Sequence, residues 1–187
     1  NPAPVRRAPE PVMPTTARAA FVLIGLFAVV RFLQVGGVGA ATTFFNVYMD
    51  RELHVATSTI GAFQALAKLL GVPIALAVPL LARRFGNVTL VLVASTMVAL
   101  SLLPMAFVPI WWVAGLSYVG IWISTPVRYT AYTILSMERT PPGRRGTMNG
   151  AQEMLAGLSF ALISFAGGLI ITRYGYTPLF AAGSLLT

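Results

Sequence analysis

Four ionisable side chains interrupt long apolar stretches of this sequence, and their chemistry needs an explanation. Arg31, Lys68, Arg128 and Glu153 each lie within a run that is otherwise almost entirely apolar. An ionisable side chain at the centre of a bilayer costs about 2.5–3.5 kcal/mol on insertion scales, so such residues usually face a protein interior or a water-filled cavity. Three bases against one acid favour an anionic ligand.

The candidates for a solute path are these three bases and polar residues one helical turn away on the same faces. They are Arg31, Gln34, Gln64, Lys68, Arg128 and Tyr132. Glu153 is the candidate for a proton-coupling carboxylate. An alternative stays open, in which Lys68 or Arg128 pairs with Glu153 to hold helices together and Arg31 extends its charged end to the interface.

Residues for covalent, metal or nucleotide chemistry are missing from the pattern. The sequence has no Cys and a single His, His54, in a polar loop. It has neither a metal-ligand spacing nor a glycine-rich phosphate loop. The net charge of +8 is spread over short gaps between apolar runs, which argues against a nucleic-acid surface. We therefore expect no enzyme activity, no cofactor, no metal and no nucleic-acid partner.

The elements that must carry these residues are long apolar runs. Hydrophobic residues make up 57% of the 187 and charged residues 10%, against about 25% charged in soluble domains. A spanning helix needs about 20 apolar residues. We expect spans at about 19–49, 55–82, 88–107, 110–137 and 147–172, with a sixth that begins near 179 and is truncated.

The arginines between these runs predict an orientation, because Lys and Arg accumulate in cytoplasmic loops. Residues 1–18 are expected to form a Pro/Arg-rich cytoplasmic linker, and residues 19–187 a transmembrane helical half-domain. One side of the membrane then holds eight basic residues, and the other side holds Arg51 and Arg173. The eight are Arg6, Arg7, Arg18, Arg83, Arg84, Arg139, Arg144 and Arg145. Gly86 supplies the backbone freedom for the hairpin turn that follows Arg84.

Two further patterns are interpreted as structural. The stretches 35–41, "VGGVGAA", and 165–170, "FAGGLI", offer small residues for close helix contacts. Trp111, Trp112 and Tyr118 are expected to form an aromatic belt near the outer interface.

Three turns carry a resemblance to a known family. They are "LLARRFGN", "PPGRRGTMNG" and "GGLIITRYGYTPLF". In this order they resemble the turns of the carboxy-terminal half of a major facilitator superfamily transporter, which often read like "LADRFGRR", "PPERRGRANG" and "GGLLLDRYGYRPLF". The cytoplasmic turn residues concerned are Arg83, Arg84 and Gly86 in the first turn, and Arg145, Gly146, Asn149 and Gly150 in the second.

The resemblance implies an all-α, six-helix transmembrane bundle built from two inverted three-helix repeats, with the sixth helix truncated. It implies a secondary active transporter, or permease, that moves a small solute by alternating access, and the intramembrane bases make that solute anionic in our interpretation. The expected partners are this solute, the lipid bilayer and a missing amino-terminal six-helix half. The expected location is multi-pass, in a bacterial plasma (inner) membrane. Proton-coupled efflux of hydrophobic drugs and a non-transporting polytopic subunit stay open as alternatives.

Overall fold

The computed structural model describes residues 17–187, and every regular element in that range is helical. The six α-helices are α1 (Ala17–Val47), α2 (Thr57–Phe85), α3 (Asn87–Phe107), α4 (Trp111–Glu138), α5 (Arg145–Tyr174) and α6 (Tyr176–Leu186). A π-helical turn, Tyr48–Glu52, continues α1, and a 3-10 turn, Pro142–Arg144, precedes α5. The predicted all-α membrane bundle is confirmed. Of the predicted linker, residues 1–16 lie outside the described range, and the last two residues already belong to α1.

Four helical segments within residues 17–187 are long and apolar enough to cross a membrane. They are Ala19–Glu52, Thr57–Phe85, Asn87–Phe107 and Pro142–Tyr174. The predicted fourth span is the 28-residue helix α4, which is long enough to span but is not among these four, since Ser124, Thr125 and Arg128 interrupt its apolar residues. Its position explains this composition. It packs along both α2 and α3 and buries eleven of its residues, so it exposes less of its surface to lipid.

The helices form two main packing groups. Helix α1 lies along α5 and α6, helix α4 lies along α2 and α3, and contacts between α3 and α6 join the groups. The core between them is aromatic: Phe45 of α1 stacks on Tyr118 of α4 with 3.9 Å between ring centroids. Tyr118 is buried, so the predicted aromatic belt is wrong for this residue, whereas Trp111 and Trp112 are half exposed.

The small residues of α1 allow this close packing. A Cβ atom added to Gly37 would lie 2.5 Å from the main-chain oxygen of Gly183 in α6, and one added to Gly39 would lie 2.8 Å from Ile163 of α5. Both distances are too short for real side chains, so only glycine permits the observed approach of α1 to its neighbours.

The arginine-rich turns lie at one end of the bundle. Asn87, at the start of α3, donates a hydrogen bond of 3.3 Å to the Glu138 carboxylate at the end of α4, which joins the turn after Arg84 to the turn before Arg145. Gly86 has a positive φ of 80°, as predicted for that reversal. At the opposite end, the rings of Tyr48 and Tyr176 are 5.1 Å apart.

Candidate functional site

A cavity of about 110 Å³ lies between α1, α4 and α5. Its lining residues are Arg31, Val35, Val38, Gly39 and Thr42 from α1, Thr125, Arg128 and Tyr129 from α4, and Phe160 from α5. The α1 residues follow one another at steps of three or four, or in adjacent pairs, so they share one face of the helix. The cavity therefore brings together two of the three predicted intramembrane bases.

Arg31 is held against an aromatic ring in this cavity. Its side chain is 8% exposed, and the guanidinium carbon lies 4.5 Å from the centroid of the Tyr129 ring. A guanidinium over an aromatic face is attracted by the ring quadrupole. The Tyr129 hydroxyl in turn donates a hydrogen bond of 3.3 Å to the Glu153 carboxylate. Arg31, Tyr129 and Glu153 thus form a continuous polar connection from α1 through α4 to α5.

Arg128 is the more deeply buried of the two bases. It is 2% exposed, and its Nη2 donates a hydrogen bond of 3.1 Å to the main-chain oxygen of Gln34. Its Nη1 is buried and has no hydrogen-bond partner within the described residues, and neither has the side-chain oxygen of Gln34. A buried donor of a charged group that lacks a partner is costly. Arg128 therefore has donor capacity left for a ligand.

Among the described residues, 17–187, no carboxylate lines this cavity. Glu153 is exposed on α5 and reaches the site only through Tyr129. Within residues 17–187, neither Lys68 nor Arg128 forms an ion pair with Glu153, and the carboxylate accepts its hydrogen bond from the Tyr129 hydroxyl. The lining of the cavity is consequently positive.

The other predicted path residues lie elsewhere. Tyr132 is buried next to the site, but it does not line the cavity, and its hydroxyl donates to the main-chain oxygen of Phe27. Gln64 donates to the side chain of Asn46 and lines a separate, polar cavity of about 440 Å³ between the ends of α1 and α2. Lys68 is exposed on α2 and lines neither cavity.

The residues of the second turn motif stand at the arginine-rich end, away from the cavity. Arg145 begins α5, and its Nε donates a hydrogen bond of 3.4 Å to the main-chain oxygen of Thr140. Gly146, Asn149 and Gly150 are exposed in the first turns of α5. In the same described range, 17–187, no three His, Cys, Asp or Glu side chains are grouped as metal ligands would be.

Sequence reasoning did not select Thr125 as a site residue. It lies three residues from Arg128 in the sequence, so helical spacing could have suggested it. The contact of Tyr129 with Arg31 depends on how α1 is aligned against α4. The sequence contains no signal for that alignment.

A family model described as Major Facilitator Superfamily matches residues 1–164. This range includes the first two of the three turn motifs, and the third lies beyond it. Neither the comparison with curated proteins nor the comparison with solved structures produced a match.

Proposed function

The chain belongs to the major facilitator superfamily of membrane transporters, and from that premise we propose that its cavity between α1, α4 and α5 binds the anionic group of a small solute. The observation that carries the proposal is the pairing of Arg31 and Arg128 in one cavity without a lining carboxylate. The solute would be moved by alternating access in secondary active transport.

The cost of burying charge supports an anionic ligand. A buried cation without a charged partner is strongly disfavoured unless a counter-charge or water compensates it. Arg128 has one main-chain acceptor and an unused Nη1. A carboxylate or phosphate would supply acceptors in the geometry that a guanidinium fork matches. Binding of such a group would therefore remove the energetic cost of the unpaired Arg128 donor.

The size of the cavity supports an anionic group rather than an entire large solute. At about 30 Å³ of liquid volume per water molecule, a volume of about 110 Å³ corresponds to three or four waters. Drug-sized ligands occupy cavities of roughly 300–1,000 Å³. The cavity is thus suited to a carboxylate or phosphate end. The remainder of the solute would lie outside this cavity, which is too small for the apolar bulk of a hydrophobic drug.

The packing of the helices supports the proposed inverted repeats of α1–α3 and α4–α6. In these repeats α1 is equivalent to α4, and α2 is equivalent to α5. The α1–α5 contact is then equivalent to the α4–α2 contact, and both contacts are extensive. In this scheme each repeat contributes one arginine from its first helix. A bound anion would contact both α1 and α4. Its affinity would therefore differ between arrangements of these two helices.

Glu153 is the proposed coupling carboxylate. Its hydrogen bond from Tyr129, whose ring lies under Arg31, gives it a physical link to the proposed binding site. Protonation of Glu153 would neutralise the carboxylate that Tyr129 connects to Arg31. Both arginines would then attract the anionic solute more strongly. The solute and a proton would then favour each other's binding.

We further propose that the arginine-rich end of the bundle is cytoplasmic and that the host membrane is a bacterial inner membrane. The excess of Arg at that end supports the orientation. The family and the apolar helices support an integral membrane protein that crosses the bilayer several times.

The test is a transport screen of the full-length protein in sealed lipid vesicles, with anionic, neutral and cationic solutes. We expect an anionic solute to be transported. Arg31→Lys should weaken its binding because the charge stays but the bidentate fit is lost, and Arg31→Leu should abolish transport while the protein still inserts. Arg139→Leu, which removes a base outside the cavity, is the matched control. Normal transport by Arg31→Leu would contradict the proposal.

A further inference from the structure

A long apolar groove opens on the arginine-rich half of the bundle, separate from the cavity of Arg31. It has a volume of about 440 Å³. Residues of three helices line it, among them Ile74 and Phe85 of α2, Val93 and Met97 of α3, and Ile123 and Val127 of α4. It exists because α2 and α3 both pack on α4 but contact each other little, which leaves α4 as the floor between two walls.

The length of the groove matches one leaflet of a bilayer. Ile74 and Phe85 are eleven positions apart along α2, which is a rise of about 16 Å at 1.5 Å per residue. Half of a hydrocarbon core about 30 Å thick is about 15 Å. One acyl chain lying along the groove would therefore reach from the headgroup level to the bilayer midplane.

The mouth of the groove is positively charged. Phe85 lines the groove, and the guanidinium carbon of Arg84 lies 5.4 Å from the centroid of its ring. Arg83 and Arg84 are both exposed. The first turn of α3 begins at the same place, has no side-chain cap and contains no acidic residue, so its free main-chain N–H groups favour an anion. Glu138, an acid at this end within the described residues, accepts a hydrogen bond from Asn87.

We propose that the groove is a binding site for an anionic phospholipid, with one acyl chain between α2 and α3 and the phosphate on Arg83, Arg84 and the start of α3. Basic residues next to apolar clefts on the cytoplasmic side of membrane proteins bind such headgroups. The positive charge at the mouth and the length of the groove together favour an anionic phospholipid. A protein helix would fill the apolar groove but would leave both arginines without a counter-charge. The site is independent of the solute that is transported.

The experiment measures lipid binding to the full-length, detergent-purified protein by native mass spectrometry. The probes are phosphatidylglycerol and phosphatidylcholine with identical acyl chains. Arg83→Gln/Arg84→Gln should lower the affinity for phosphatidylglycerol by about 30-fold, since each base near the surface contributes about 1 kcal/mol and 1.4 kcal/mol is tenfold. Arg139→Gln/Arg145→Gln removes two charges from the same end outside the groove and should have little effect.

A second pair of variants tests the acyl chain. Val93→Trp fills the groove and should reduce the binding of both lipids, whereas Leu100→Trp, on an exposed part of α3 outside the groove, should not. An equal loss of phosphatidylglycerol in both arginine pairs would overturn the proposal, because the effect would then be general surface charge. Undiminished binding in Val93→Trp would also overturn it, because the groove would then be filled by another part of the protein.

Discussion

Replacing Gly37 by Ala tests whether small residues set the distance between α1 and α6. The new Cβ would lie 2.5 Å from the main-chain oxygen of Gly183, whereas ordinary van der Waals contact begins at 3.4 Å. The two helices must therefore separate by about 0.9 Å, since a main-chain oxygen cannot rotate away. That movement would also strain the hydrogen bond of 3.1 Å from the Ser184 hydroxyl to the main-chain oxygen of Ala99, which ties α6 to α3.

The expected size follows from this overlap. Overpacking of a filled interior costs about 1–3 kcal/mol. Gly25→Ala on the same helix is the matched control, because nothing lies within 4 Å of its added Cβ and Ala is favoured over Gly in a helix by about 1 kcal/mol. Gly37→Ala gains the same helix preference, so the two variants differ by the overpacking cost alone. At about 2–4 °C per kcal/mol, the Tm of Gly37→Ala should be about 6 °C below that of Gly25→Ala. Tryptophan fluorescence of the detergent-solubilised, full-length protein during heating measures both. Equal Tm values would refute the reasoning.

Three further predictions concern orientation, the site and the periphery. Because the sequence has no native Cys, Gly143→Cys should react with an impermeant thiol reagent only from the cytoplasm and Glu52→Cys only from outside, and the reverse labelling would contradict the orientation. Tyr129→Phe keeps the ring and should bind the solute within about twofold of wild type. Tyr129→Leu should bind it about fivefold more weakly, since a cation–π contact contributes about 0.5–2 kcal/mol. Equal binding constants for the two variants would show that the ring does not hold Arg31. Leu92→Ile should leave the transport rate unchanged, because Leu92 is 63% exposed and α3 lines no part of the arginine cavity; a large loss of rate would place α3 on the solute path.

The positions of the helices were readable from the sequence because charged and turn residues interrupt the apolar runs. The predicted third span, 88–107, differs from helix Asn87–Phe107 by one residue at its start. The positive φ of Gly86 was also predictable, since a reversal directly after a helix favours glycine. The repeats and the solute path stay predictions.

The side of each helix that faces its neighbours was not readable. Lipid is as apolar as a protein core, so an apolar helix in a bilayer carries no periodic pattern that separates buried from exposed faces. For this reason Tyr118 was placed at an interface although it stacks on Phe45 in the core. For the same reason, the sequence grouped Lys68 with Arg31 and Arg128, although only the two arginines line the cavity.

The most direct test of the anion site compares a charged solute with its uncharged analogue. For the anionic solute found in the transport screen, the Kd of that solute and of its neutral ester would be measured with full-length wild type, Arg128→Leu and Arg31→Leu. A hydrogen bond to a charged group contributes about 1.5–3 kcal/mol, so wild type should bind the anion at least about tenfold more tightly than the ester. Arg128→Leu should lose this preference. A preference that persists in both Arg128→Leu and Arg31→Leu would contradict an anion site in the cavity between α1, α4 and α5.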